Sequence, residues 1–223
     1  IVEKIGGGIP DGGTFKAVQT GGPSGGCLPE AELDSPVDFD ELTKKGSMMG
    51  SGGMIVMDQN TCMVDVARYF LDFLRFESCG KCVTCREGLK RLYEIVDRIT
   101  KGEGKEGDLE LIEELSECVG EASLCALGGT APNPVMSTLR HFRAEYEAHI
   151  HDKKCPAKVC KELITFTIDE DKCTGCRLCA KKCPADAITG EKKKLHVVDQ
   201  DKCIKCRVCF ESCPKKWAAV VIS

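Results

Sequence analysis

The chain has 223 residues, a formal net charge of −4 and seventeen cysteines. That length accommodates one large domain or two to three small ones. So many thiols, with neither a signal peptide nor an apolar run long enough to span a membrane, argue against a disulfide-stapled secreted protein and against membrane insertion, and favour reduced, metal-loaded cysteines in a cytoplasmic setting.

Ile1-Val-Glu is neither a targeting segment nor a Met start, so the chain is expected to be part of something longer. Residues 1–57 are rich in glycine, with Gly6-Gly7-Gly8, Gly21-Gly22-Pro23-Ser24-Gly25-Gly26 and Gly50-Ser51-Gly52-Gly53 flanking the β-compatible runs Thr14 to Val18 and Met54 to Met57. That pattern predicts a small, turn-rich β domain. No Gly-Lys-Ser/Thr ends any glycine run and no G-x-G-x-x-G opens a helix, so tight turns account for the glycines better than a phosphate cradle does. Cys27 and Cys62 lack a ligand pattern and read as structural.

From Thr61 the apolar period becomes helical. Met63, Val64, Ala67, Phe70, Leu71 and Leu74 predict a first helix, with Phe73 and Phe76 widening its apolar face. Leu89, Leu92, Tyr93, Val96 and Ile99 predict a second, ending at Gly102. Leu111, Ile112, Leu115 and Val119 predict a third from about Asp108. The fourth starts at Asn133-Pro134, a cap followed by proline at the first helical position, and carries Val135, Leu139, Phe142 and Tyr146. Four amphipathic helices with short connections predict a bundle over residues 58–148. Where its first helix gives way to the second, Cys79, Cys82 and Cys85 form a C-x2-C-x2-C triplet. Three thiolates need a fourth to hold a cluster, and no Cys-Pro follows. Cys118 and Cys125 are both candidates within the bundle, and spacing does not choose between them.

Residues 149–162 connect this region to the next. His149, His151, Cys155 and Cys160 are close enough in sequence for a zinc site, which would be redox-inert and would fix a linker in place. The plain alternative is an exposed linker carrying two thiols, an oxidation liability.

Residues 163–223 contain Asp171-Lys-Cys173-Thr-Gly-Cys176-Arg-Leu-Cys179-Ala-Lys-Lys-Cys183-Pro and, thirty residues on, the same C-x2-C-x2-C-x3-C-P run at Cys203, Cys206, Cys209 and Cys213. This is the run by which bacterial-type ferredoxins hold [4Fe–4S] clusters, with the fourth ligand crossed between halves. Crossing assigns one cluster to Cys173, Cys176, Cys179 and Cys213, and the other to Cys203, Cys206, Cys209 and Cys183. Zinc ribbons also use C-x2-C pairs, but the doubled pattern with two Cys-Pro endings suits iron–sulfur clusters far better. From Leu163 onward twelve Lys/Arg face eight Asp/Glu, a charge of +4. Two clusters at about −2 each would neutralise it, so the excess lysine is compensation rather than a nucleic-acid footprint. His141 and His196 have no partner motif.

The run Glu77 to Gly88, followed by Ser123-Leu-Cys125-Ala-Leu-Gly128, resembles the NADH-binding flavoprotein subunit of respiratory complex I and, more closely, its relatives in NAD-dependent and electron-bifurcating [FeFe] hydrogenases. The resemblance implies cluster ligation by Cys79, Cys82, Cys85 and Cys125, leaving Cys118 spare. Phe15 to Gly26 and Met48 to Asp58 resemble that family's soluble-ligand-binding (SLBB) β-grasp domain. The expected fold is therefore α+β and multidomain. It comprises an SLBB-like β-grasp domain (1–57), a four-helix bundle with a [4Fe–4S] cluster (58–148), a linker (149–162) and a bacterial-type 2[4Fe–4S] ferredoxin-like domain (163–223).

What the resemblance implies about function is electron transfer. The chain is expected to be the C-terminal part of a flavoprotein subunit, with three [4Fe–4S] clusters and a candidate zinc, relaying single electrons in an NAD(P)H-linked, electron-bifurcating hydrogenase. FMN and NAD(H) would belong to a half of the family that has no counterpart in these residues. Expected partners are other subunits of the complex and ferredoxin, with no nucleic acid and no membrane insertion. An NAD-dependent formate dehydrogenase subunit and a zinc-loaded assembly module are the alternatives.

Overall fold

A computed structural model describes residues 1–223, which form two compact units, Ile1–Leu163 and Ile164–Ser223. In the first, strand β1 (Phe15–Thr20) is the centre of an antiparallel sheet, between β2 (Cys27–Pro29) and β3 (Met54–Asp58). Val18 stands opposite Leu28 on one side and Val56 on the other. Helix α1 (Phe39–Lys44) lies between β2 and β3 in sequence, started by Asp38, whose carboxylate accepts the Glu41 N–H at 2.8 Å. The glycines act through close approach: a Cβ on Gly26 would collide with the Gly46 carbonyl, where the buried Ser47 hydroxyl stands 2.9 Å from the Gly26 N–H.

Four longer helices follow: α2 (Met63–Glu77), α3 (Val83–Thr100), α4 (Asp108–Ala122) and, after the short α5 (Ala126–Thr130), α6 (Asn133–Glu147). Their apolar stripes meet in one core that includes Leu71, Leu74, Leu89, Leu92, Ile112, Val135 and Leu139. Helix α2 differs from the sequence expectation on one face. Phe73 and Phe76 point outward, 44% and 74% exposed, because the buried positions 63, 64, 67, 70, 71 and 74 already complete a helical stripe that excludes them. The Arg75 guanidinium lies 4.8 Å from the Phe76 ring and 4.2 Å from that of Tyr93. A buried Asp108 carboxylate accepts from Arg98 and from the Lys105 N–H, closing the α3–α4 turn.

Sheet and helices share one unit. The Cys27 N–H donates to Ser137 Oγ at 2.9 Å, and Lys16 pairs with Glu145 at 2.6 Å, joining the sheet to α6. Helix α6 bends at Phe142 (φ −130°, ψ 32°) and runs on into a π-turn at Ala148–Asp152.

The second unit is built as two similar halves. Strand β4 (Phe166–Ile168) leads to α7 (Leu178–Lys182), and β5 (Ile188–Thr189) pairs with β6 (Val197–Val198). Then α8 (Val208–Ser212) precedes β7 (Val220–Ile222), which returns antiparallel to β4 with Phe166 opposite Ile222. Each half opens with the same aspartate turn: Asp169 accepts the Asp171 N–H at 3.0 Å, and Asp199 the Asp201 N–H at 3.1 Å. Each short helix is entered through an arginine at φ +66°, Arg177 or Arg207. Phe166, Ile188, Val198 and Val220 form the core together with Cys179 and Cys209.

Candidate metal centres

In the second unit the loop before α7 carries Cys173 and Cys176, and α7 itself Cys179. These three line one cavity with Cys213, from the end of the other half. These are the four residues that crossing would combine, and they share one cavity. A cluster cube needs thiolates from several sides, and a tight loop presents three of them from one direction only. The other triplet is built the same way on α8. Burial raises the Cys209 thiol to about 11, and the nearby charges of Cys203 and Cys206 add to the rise. Cys183 and Cys213 both pack on the core containing Cys179 and Cys209. The Ala187 N–H points at Cys183 Sγ at 3.3 Å, the type of N–H···S contact that tunes cluster sulfurs.

The first unit carries the remaining triplet between α2 and α3. Cys85 is buried, Cys82 half-buried and Cys79 exposed. Chain remote in sequence closes over it. The Leu124 N–H donates to Cys82 Sγ at 3.4 Å, Thr84 Oγ1 donates to the Ala122 carbonyl at 3.1 Å, and Gly128 is packed against Ser123 and Cys85. The segment preceding α5 is thus drawn to the triplet, with Cys125 at its N-cap. Cys118 sits exposed on α4, one turn before its end. These residues fit a fourth thiolate approaching from residues 123–125.

A fourth group was only half visible in the sequence. Cys62, His149, Cys155 and Cys160 are all buried and bring their ligand atoms within 4.8 Å of one another. Cys62 Sγ is 3.4 Å from His149 Nε2 and 3.7 Å from Cys160 Sγ, and His149 Nε2 is 3.3 Å from Cys160 Sγ. Tetrahedral zinc, with bonds of about 2.3 Å to sulfur and 2.0–2.1 Å to nitrogen, spaces its ligand atoms about 3.5–3.8 Å apart. Three thiols and one imidazole fit that ion. His149 Nδ1 donates to the Glu145 carbonyl at 2.6 Å, leaving Nε2 to ligate. The Glu145 carboxylate in turn accepts the Met63 N–H at 3.1 Å, beside Cys62 at the start of α2. Hydrogen bonds from Cys160 and Cys62 pull the Cys155 thiol far below the ordinary range, and those same bonds hold the other two thiols up.

Two expectations change here. Cys62, which read as structural, joins the group because the fold sets the start of α2 beside the π-turn. His151 is exposed and lies outside it, whereas His149, two residues earlier in the turn, is buried within it. Periodicity could not have found Cys62, which lies 87 residues from His149. Cys27 remains isolated, and burial pushes its thiol up to about 12, consistent with a packing role.

Comparison with known proteins bears on the two iron–sulfur stretches. Residues 65–149 match the NADH-ubiquinone oxidoreductase-F iron–sulfur binding region, and residues 166–220 match a 4Fe-4S dicluster domain. The chain is 57% identical over 196 residues to the HndC subunit of the NADP-reducing hydrogenase of Solidesulfovibrio fructosivorans, covering 88% of this chain and 40% of that one. It is 46% identical over 156 residues to the NADH-quinone oxidoreductase F 2 subunit of Rhizobium meliloti (strain 1021), covering 70% and 37%. Among solved structures, an NAD+-reducing [NiFe]-hydrogenase in the H2-reduced state aligns with a TM-score of 0.57 and 33% identity, over 62% of this chain and 24% of that one. The chain therefore spans about two fifths of the length of these curated relatives. No helix is long and apolar enough to cross a membrane. The chain is thus similar over residues 65–149 to an NADH-ubiquinone oxidoreductase-F iron–sulfur binding region, over residues 166–220 to a 4Fe-4S dicluster domain, and over much of its length to part of subunits of an NADP-reducing hydrogenase and of NADH-quinone oxidoreductases.

Proposed function

We propose that this chain is the electron-transfer portion of an NAD(P)H-linked, electron-bifurcating hydrogenase subunit. It would hold three [4Fe–4S] clusters and one structural zinc. The observation that carries the reading is the cavity shared by Cys173, Cys176, Cys179 and Cys213, in a chain most of which is 57% identical to a hydrogenase subunit. Bound clusters would supply one-electron carriers. The chain's own residues supply thiolates, exclude water around the buried Cys85, Cys179 and Cys209, and aim N–H donors at sulfur.

Cys79, Cys82, Cys85 and Cys125 would hold one cluster in the first unit, and the crossed sets two in the second. Cys62, His149, Cys155 and Cys160 would hold zinc, which carries no electrons and braces the end of α6 against the start of α2. The sheet of residues 15–58 is read as the SLBB-like β-grasp element. FMN and NAD(H) would be bound by sequence of the parent protein outside these residues, and partner subunits and ferredoxin would exchange electrons with the clusters. Metal analysis of anaerobically purified protein tests this reading. About twelve irons and one zinc per chain are expected from three four-iron clusters and one four-ligand zinc; a colourless, zinc-only protein would overturn it.

A further inference from the structure

The cysteine triplet of the first unit is preceded by a serine where the paired triplets of the second are preceded by lysine. Ser78 stands one residue before Cys79, and the matching positions are Lys172 and Lys202. Ser78 ends α2, its N–H donating to the Leu74 carbonyl, and its extended backbone (φ −62°, ψ 124°) turns the chain into the cysteine loop. Its Oγ lies 3.3 Å from the sulfur of Cys85, the buried member of the triplet. The same oxygen accepts the Gly80 N–H at 3.3 Å, a contact reached with Gly80 at φ +75°. The Gly80 carbonyl in turn accepts from the guanidinium of Arg86, the neighbour of Cys85 on α3. A hydroxyl has one proton to give. The Gly80 N–H engages a lone pair of the oxygen, and a cysteine that acts as a ligand is a thiolate, which only accepts. The Ser78 proton therefore goes to Cys85 Sγ when that sulfur ligates. Against the same Gly128 that touches Cys85, Ser123 Oγ is buried with no partner within the protein. Buried polar atoms are nearly always satisfied, so an orphan here fits a group held among these cysteines.

We propose that Ser78 is a positioning residue that donates from Oγ to the Cys85 sulfur and thereby raises the reduction potential of the cluster held by Cys79, Cys82, Cys85 and Cys125, and of that cluster alone. The proposal rests on the four-cysteine reading of the first unit given above. Four thiolates around an oxidised core leave a net charge of about −2, and reduction makes it more negative. An O–H···S bond stabilises the more negative state more strongly, so it favours reduction. Arg86 holds the Gly80 peptide, and the Gly80 N–H holds the Ser78 oxygen, which keeps the hydroxyl proton turned toward the sulfur. A neutral hydroxyl donates without any change of protonation.

The test is an EPR-monitored redox titration of the full, cluster-loaded chain carrying Ser78→Ala or Ser78→Thr, with iron counted in each sample. A Cys82→Ala variant identifies which signal belongs to this cluster. Threonine keeps the hydroxyl and suits the extended backbone of Ser78. The expected result is a shift of that signal alone to lower potential in the Ala variant and a near-native potential in the Thr variant, with about twelve irons in both. Loss of about four irons, one cluster's content, in the Ala variant with retention in the Thr variant also supports the proposal. An unchanged potential in the Ala variant, an equal fall in both variants, an equal shift of every signal, or loss of the cluster in both variants overturns it. Full iron content with unchanged potentials would defeat only the role of Ser78; low iron in the unmutated chain, or full iron in the Cys82→Ala variant, would defeat the ligand reading itself.

Discussion

Cys62 shows how little a single side chain reveals before it is placed. Its own helix gives it an apolar setting, yet its sulfur stands 3.4 Å from His149 and 3.7 Å from Cys160. Replacing it with serine should remove zinc, taking the ion from one to near zero per chain by mass spectrometry while leaving iron unchanged. The same measurement on His151→Ala should find zinc retained. Zinc binding should weaken as pH falls, because three thiols and an imidazole must lose their protons to ligate and acid returns them; dialysis at descending pH with metal analysis checks the direction. In the other centre of the first unit, Cys125→Ser should abolish the EPR signal of the cluster on Cys79, Cys82 and Cys85, whereas Cys118→Ser should not. The Leu124–Cys82 hydrogen bond places the 123–125 segment, and not the outer face of α4, against the triplet.

At the level of elements, the second unit repeats one design with one local difference. Both aspartate turns and both αL arginines recur, but Gly175 faces the backbone of Lys193 and Lys194, and Lys205 does not. Gly175→Ala should therefore damage the first loop through both its positive φ and the collision. The measurable result is loss of about four of twelve irons, the content of one cluster. Lys205→Ala, at the matching site, should keep full iron. In the first unit, the α3–α4 turn depends on Asp108, 4% exposed, which holds Arg98 and the Lys105 N–H. Asp108→Ala should cost about 2 kcal/mol, the usual value for a hydrogen bond to a charged group, and thermal unfolding would register it. A cost near zero would mean that the turn is held by apolar packing alone.

For the whole molecule, the candidate metal-binding residues are distributed between two units, the His149 group and one cysteine triplet in the first and the paired triplets in the second. If zinc is bound as proposed, removing it with a chelator should loosen residues 62–63 and 145–163, seen as faster amide exchange there, without altering exchange in residues 164–223, because all four residues proposed to hold it lie in the first unit. Much of this organisation was legible in the amino-acid order. Three helical stripes and the Asn133-Pro134 start coincide with α2, α3, α4 and α6, since helical periodicity is a local property of the chain. The three triplets were legible for the same reason: a C-x2-C-x2-C loop brings its sulfurs together within a few residues. What sequence order could not show was closure at a distance. The choice between Cys118 and Cys125 in geometric terms, the entry of Cys62 and exit of His151, and the outward turn of Phe73 and Phe76 all depend on which segments meet after folding. A ligand set is a convergence of atoms in space, and its distant members carry no periodic trace along the chain.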